Sequence, residues 1–204
     1  MVQTPAVPET ETLLLELPKT LKLYVTQEQF EILAASNREL HLERTATGEL
    51  IVNPPTGWET GEQNSSISGE LYVWWRNAGE PGKVFDSSTG FILPNSANLS
   101  PDASWVSQER WDALNEEQKR MFANICPDFV VELRSHSDTM KSLREKMQEY
   151  MDNGARLGWL INPKTRKVEV YRVGLDVEIL SNPTELSGET VLPGFVLELR
   201  RVWG

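Results

Sequence analysis

Apolar residues change their spacing several times along the chain, and each change marks an element. Met140, Leu143, Met147, Tyr150 and Met151 recur at helical spacing, the stripe of an amphipathic helix. Asn153-Gly154 closes that helix as a C-terminal cap. Directly before it, Phe129-Val130-Val131-Glu132-Leu133 is a β-rich run opened by Pro127-Asp128, the pattern of a buried strand. Directly after it, Leu157 to Ile161 reads as a strand that Asn162-Pro163 ends. A strand–helix–strand unit over residues 128–161 follows from these three patterns.

The flanking regions read as shorter elements. Thr26 with Gln29 forms a capping-box pattern and predicts a helix starting near residue 27. Leu40 to Val52 reads as two strands around Ala46-Thr47-Gly48, and Asn53-Pro54-Pro55-Thr56-Gly57 breaks the chain. Ile67, Leu71, Trp74 and Trp75 predict a helix over Gln63 to Trp75. Lys83 to Leu93 holds two short strands around Ser87-Ser88-Thr89-Gly90, Pro101-Asp102 opens a strand to Val106, and Ser107 to Phe122 is charged and helical. Lys167–Val173 and Val177–Leu180 predict a hairpin about Gly174, and Leu192–Leu199 a final strand or helix-free segment. The class is α/β or α+β with a mixed sheet. Residues 1–24 read as a loose leader and 25–204 as one domain.

Composition narrows the picture. An apolar fraction of 39% with seven Trp supports a sizeable core. The single cysteine, Cys126, excludes an internal disulfide and points to a reducing compartment. There is no signal-peptide pattern and no membrane-spanning run, so the expected location is cytoplasmic, with no membrane partner. A net charge of −10 argues against a broad nucleic-acid surface. Residues 133–172 are the exception, with nine basic and five acidic side chains.

The candidate chemistry lies just ahead of that basic segment. Glu132 sits inside an apolar run, which is costly for a carboxylate unless it is paired or binds a metal. It lies four residues after Asp128, on the same face of the strand, and close to the strand's carboxyl end, a usual place for an α/β site. Asp102 opens a second strand after Pro101. Two acids on neighbouring strands with a cation nearby form a minimal site for phosphodiester hydrolysis with a hard divalent ion.

Ser100-Pro101-Asp102-Ala103-Ser104-Trp105-Val106, the stretch Cys126 to Ser135, Lys146-Met147-Gln148-Glu149-Tyr150, and Gly154 through Trp159-Leu160-Ile161-Asn162-Pro163 resemble the Uma-type "putative restriction endonuclease" family. This bacterial family, abundant in cyanobacteria, belongs to the PD-(D/E)XK nuclease superfamily. The resemblance covers about residues 25–200. It implies a restriction-endonuclease-like mixed central β-sheet flanked by helices, with Asp102 and Glu132 as catalytic acids and ligands of Mg²⁺ or Mn²⁺. The superfamily lysine two places after the second acid is absent, because position 134 is Arg, which is no base at neutral pH. In the family that lysine falls on the following helix, which points to Lys146. Its spacing from Leu143 and Tyr150 places it beside the buried stripe. A histidine common in the family's first core helix is matched here by Asn64, while Glu59 and Glu62 precede that helix as sources of a third acid.

Each residue also has a plain structural alternative. Asp102 fits a turn, Glu132 a solvent-facing strand edge, Lys146 a snorkelling helix lysine, and Asp128 a strand start with a salt bridge. Arg134 is a phosphate ligand or a partner of Asp128. Ser135 is a substrate contact or, with Ser137 and Asp138, a helix cap. His41 and His136 lack metal-ligand spacing. The expected function is a divalent-metal-dependent endonuclease acting on DNA, with Asn64, Arg134 and Ser135 as substrate-binding residues. A homodimer suits cutting of both strands. The alternatives are a catalytically inactive nuclease-fold binding or regulatory module and a phosphoesterase of small substrates.

Overall fold

The computed structural model describes residues 21–120 and 124–204. Most of the expected leader therefore lies outside the described residues. At its end, β1 (Leu23–Tyr24) pairs antiparallel with β3. Thr26 then caps α1 (Gln27–Ser36) through the reciprocal Thr26–Gln29 box. β2 (His41–Arg44) and β3 (Glu49–Asn53) form a hairpin, and α2 spans Trp58–Asn77. β4 (Lys83–Asp86) and β5 (Phe91–Ile92) are adjacent in sequence but belong to different sheets. β5 pairs with β6 (Asn98–Leu99), whereas β4 pairs with β7 (Ala103–Val106).

The expected long helix after Ser107 is two short ones, α3 (Gln108–Asp112) and α4 (Glu116–Arg120); residues 121–122 of that prediction lie outside the described residues. β8 (Phe129–Leu133), α5 (Met140–Asp152) and β9 (Leu157–Asn162) form the predicted strand–helix–strand unit. β8 and β9 are parallel, with Glu132 opposite Leu160. β10 (Lys167–Arg172) and β11 (Glu178–Ser181) complete the hairpin about Gly174. The predicted C-terminal strand falls within residues 192–199, and two further elements flank it. A strand at Glu185–Ser187 (β12) pairs with Val196–Glu198 (β13), and Arg200–Trp203 is a short helix, α6.

The central sheet has six strands in the order β11-β10-β9-β8-β7-β4, mixed because only β8 and β9 run parallel. A second sheet, β1-β3-β2-β6-β5, stands beside it. Alternation along β8 decides what each face holds. Phe129, Val131 and Leu133 join Ile67 and Leu71 of α2, with Trp159 and Phe195, in one core. Val130 joins Leu143, Met147 and Tyr150 of α5 in the other. Glu132 shares the parity of Val130, so its side chain lies under α5. The cores agree with the mixed, helix-flanked architecture expected from the sequence.

Candidate active site

The chain crosses from the smaller sheet to the central sheet through Ser100-Pro101-Asp102, between β6 and β7. Acidic groups from both sheets meet at this crossing. Asp102, half-buried, is held at both carboxylate oxygens. Oδ2 accepts the Leu133 backbone N–H at 2.7 Å, and Oδ1 accepts Asn64 Nδ2 at 2.8 Å. Its own N–H donates to Val131 O, which fixes Asp102 against β8. Burial pushes its carboxyl up, and the Leu133 N–H and the Lys146 ammonium oppose that shift.

Glu132 is 3% exposed. Its Oε1 accepts the Tyr150 hydroxyl at 3.1 Å and lies 2.9 Å from Lys146 Nζ. Desolvation pushes Glu132 up to about 8, against the pull of Lys146 and with further upward pressure from Asp102 and Glu43. Lys146 follows from the helix pattern: Leu143, Met147 and Tyr150 pin one face of α5 to the sheet, and Lys146, next to Met147, reaches in along its edge. Its Nζ also lies 2.8 Å from Glu43 Oε1 and donates to Ser100 O at 3.1 Å. Burial works to lower its pKa, but the charges of Glu132 and Glu43 outweigh that and raise it, so it remains an ammonium.

Glu43 is the residue that the sequence did not reveal. It lies on β2, is 5% exposed, and bonds to Lys146, to Ser100 N at 2.8 Å and to Asn53 Nδ2 at 3.1 Å. The stretch Leu40 to Val52 alternates too poorly to assign faces, so no local pattern marks Glu43 as buried. Neither Glu59 nor Glu62, the expected sources of a third acid, joins this group. Glu62 is exposed, and Glu59 lines a separate cleft with Arg134.

The structure thus brings Asp102, Asn64, Glu132 and Lys146 into one linked group. Arg134 and Ser135 lie beyond Leu133 in the cleft that also holds Glu59. Arg134 does not pair with Asp128. Asp128 is buried against Arg110 at 3.2 Å and Arg156 at 3.8 Å, and accepts Ser107 N–H, so it acts as a structural anchor. Ser135 donates its hydroxyl to Asp138 at 2.6 Å in a closed turn, and Thr139, not Ser137 or Asp138, caps α5. His41 is exposed, and His136 lines the cleft.

The donor set fits a hard cation better than zinc. Among the described residues no three His, Cys, Asp or Glu side chains are placed to share a metal. Two carboxylates completed by waters are nevertheless a usual Mg²⁺ set. Asn64 adds a specific sign: while its Nδ2 holds Asp102, its Oδ1 is buried without a hydrogen-bond partner. A buried acceptor oxygen of this kind is costly in isolation and suits a cation or a water bound to one.

Known proteins bear on this arrangement. The family described as "Putative restriction endonuclease" (Uma2) matches residues 27–200. A crystal structure described as a putative nuclease belonging to DUF820, from Anabaena variabilis, matches with a TM-score of 0.68 at 19% identity, covering 81% of this chain and 90% of that one. At that identity the match concerns the fold. No curated protein matches the chain.

Proposed function

Because this chain belongs to the Uma2 family of putative restriction endonucleases, we propose that it is a divalent-metal-dependent endonuclease that hydrolyses DNA phosphodiester bonds. The observation that carries this reading is the linked group at the sheet crossing: Asp102 just ahead of β7 and Glu132 on the adjacent β8, with the Lys146 ammonium on Glu132. Asp102 and Glu132 would hold Mg²⁺ or Mn²⁺, with Asn64 Oδ1 beside Asp102. A bound ion of this type neutralises phosphate charge and makes a water more acidic.

The protein's own groups have separable tasks. The Leu133 N–H and Asn64 amide orient Asp102. Glu43 and Ser100 O hold Lys146 in place, with Glu132 on its third side. Since those acids keep Lys146 protonated, it serves as a donor that positions water or phosphate oxygen and offsets developing negative charge, and not as a base. Arg134 and Ser135 stand at the mouth of the neighbouring cleft as substrate contacts.

Plasmid or oligonucleotide cleavage in Mg²⁺ or Mn²⁺ tests the proposal. Wild type should cut and stop in chelator, and Asp102→Ala should fall to background. Equal cutting by both proteins would reject the site. One observation favours the rival reading of an inactive binding module: Lys146 is committed to two carboxylates at 2.8 and 2.9 Å in a chain of net charge −10. Mn²⁺ titration calorimetry separates the two, since a folded protein that takes up no divalent ion fits the module.

A further inference from the structure

β8 and β9 are the only parallel neighbours among the described strands of the central sheet, so their carboxyl ends open on the same side. A cleft of about 400 Å³ lies there, the position where ligands bind α/β sheets. Arg134 and Ser135 reach it from the end of β8. Lys164 and Arg166 reach it from the turn after β9, where Arg166 adopts a left-handed backbone at φ 49°. Trp203 of α6 lines the wall, its indole Nε1 anchored on Pro183 O at 2.9 Å. Glu59 is the single acid among the lining residues.

The charges here are unusual for this molecule. Acids outnumber bases by ten over the whole chain, and Arg110, Arg144, Lys146, Arg156 and Arg172 all have carboxylate partners. Arg134, Lys164 and Arg166 have no ion pair among the described residues; other unpaired cations such as Arg38 and Arg76 do not line this cleft, whereas these three converge on it. Arg134 Nε is also buried without a hydrogen-bond partner, a donor that an anionic oxygen would satisfy. The cleft begins close to the candidate acids, because Leu133, which holds Asp102, is adjacent to Arg134.

We infer that this cleft is a nucleotide subsite for a nucleic-acid strand: Arg134, Lys164 and Arg166 bind a backbone phosphate next to the cleaved bond, and Trp203 offers a stacking surface to its base. The inference rests on the phosphodiesterase reading for its substrate class, but it can be measured without cleavage.

The test is binding of a labelled single-stranded oligodeoxynucleotide of about a dozen nucleotides in chelator, read by fluorescence anisotropy over a salt series. Lys164→Ala/Arg166→Ala removes two exposed side chains, and circular dichroism checks its fold. This variant should bind at least about tenfold more weakly, and the slope of log affinity against log salt should shrink by about one to two. Arg38→Ala/Arg76→Ala removes equal charge from exposed residues that do not line the cleft and should bind like wild type. Unchanged binding in Lys164→Ala/Arg166→Ala, equal loss in both double variants, or no binding by wild type would overturn the subsite. Thymidine 5′-monophosphate binding as tightly as the oligonucleotide would reassign the cleft to free nucleotides and overturn the strand assignment. Cleavage by wild type with unchanged binding in the cleft variant would leave the nuclease reading standing alone. Cleft-dependent binding by a protein that cuts nothing would keep the subsite and reject the cleavage.

Discussion

Lys146 is the residue on which the candidate site balances. It is the only cation among the described residues that Glu43 and Glu132 share, and all three side chains are largely buried. Lys146→Met leaves the buried Glu43 and Glu132 side chains without their shared cation, and breaking a buried pair costs about 3–5 kcal/mol. Chemical denaturation at neutral pH should show a loss of that size, whereas Lys141→Ala, in an exposed pair with Glu145, should leave stability unchanged. Glu132→Gln should cost less, because Glu43 still holds the ammonium. It should also change the pH profile. The native carboxyl keeps its proton up to about 8 from an ordinary value of 4.5. Its stabilising contribution is therefore complete below the ordinary value and is lost as pH rises through about 8. Wild type should lose stability between pH 5 and pH 8.5 relative to Glu132→Gln, and parallel profiles would contradict the assigned shift.

At the scale of elements, the site depends on how closely α5 lies on the sheet. Leu143, Met147 and Tyr150 each contribute about 2 kcal/mol of apolar burial, and they set the depth from which Lys146 reaches Glu132. Gly158 on β9 makes that depth possible. A Cβ there would meet Met147 Cε and would stand 3.3 Å from Val130 Cγ2. Gly158→Ala should cost about 1–3 kcal/mol by overpacking, measured by urea unfolding. Its effect on divalent-ion binding should exceed that of a surface change of equal stability cost, because Met147 is the neighbour of Lys146. The crossing at Ser100-Pro101 is the other determining element, since it ties Glu43 to Lys146 through Ser100 N and O.

For the whole molecule, the two cores are halves of one structure. β8 sends Phe129 and Val131 to one and Val130 to the other; β9 sends Trp159 and Ile161 to one and Leu160 to the other. Neither half can melt while the shared strands stay paired, so unfolding should be a single transition. Cys126 offers a probe on the α5 side. It is buried, donates to Tyr150 O at 3.4 Å, and burial pushes its thiol up to about 12. Thiol labelling of Cys126 and tryptophan fluorescence, weighted toward the other core by Trp74, Trp75, Trp105, Trp159 and Trp203 with Trp111 on the Cys126 side, should share one denaturant midpoint. Labelling of native protein at pH 8 should be slow. Separate midpoints would show two independently folding halves.

Short-range patterns in the sequence already carried the Thr26 cap, the α5 stripe, the buried run of β8 and the Asn162-Pro163 stop, because caps, periodicity and turn chemistry act over a few residues. They also marked Glu132 as an acid in an apolar setting, and the resemblance to a family joined it to Asp102, Lys146 and Asn64. Long-range pairing decided the rest. Nothing local marked Glu43, which is buried because Lys146 of α5 and the crossing at Ser100 meet it there. β4 and β5 looked like neighbours and parted into two sheets, which no local signal encodes. Of the two readings of Arg134, pairing with Asp128 fails because Arg110 and Arg156 hold Asp128, and Arg134 meets Lys164, Arg166 and Trp203 only where β9, its following turn and the C-terminal helix converge. The partner of a buried charge is set by which distant strands pack beside it, so it belongs to the tertiary structure.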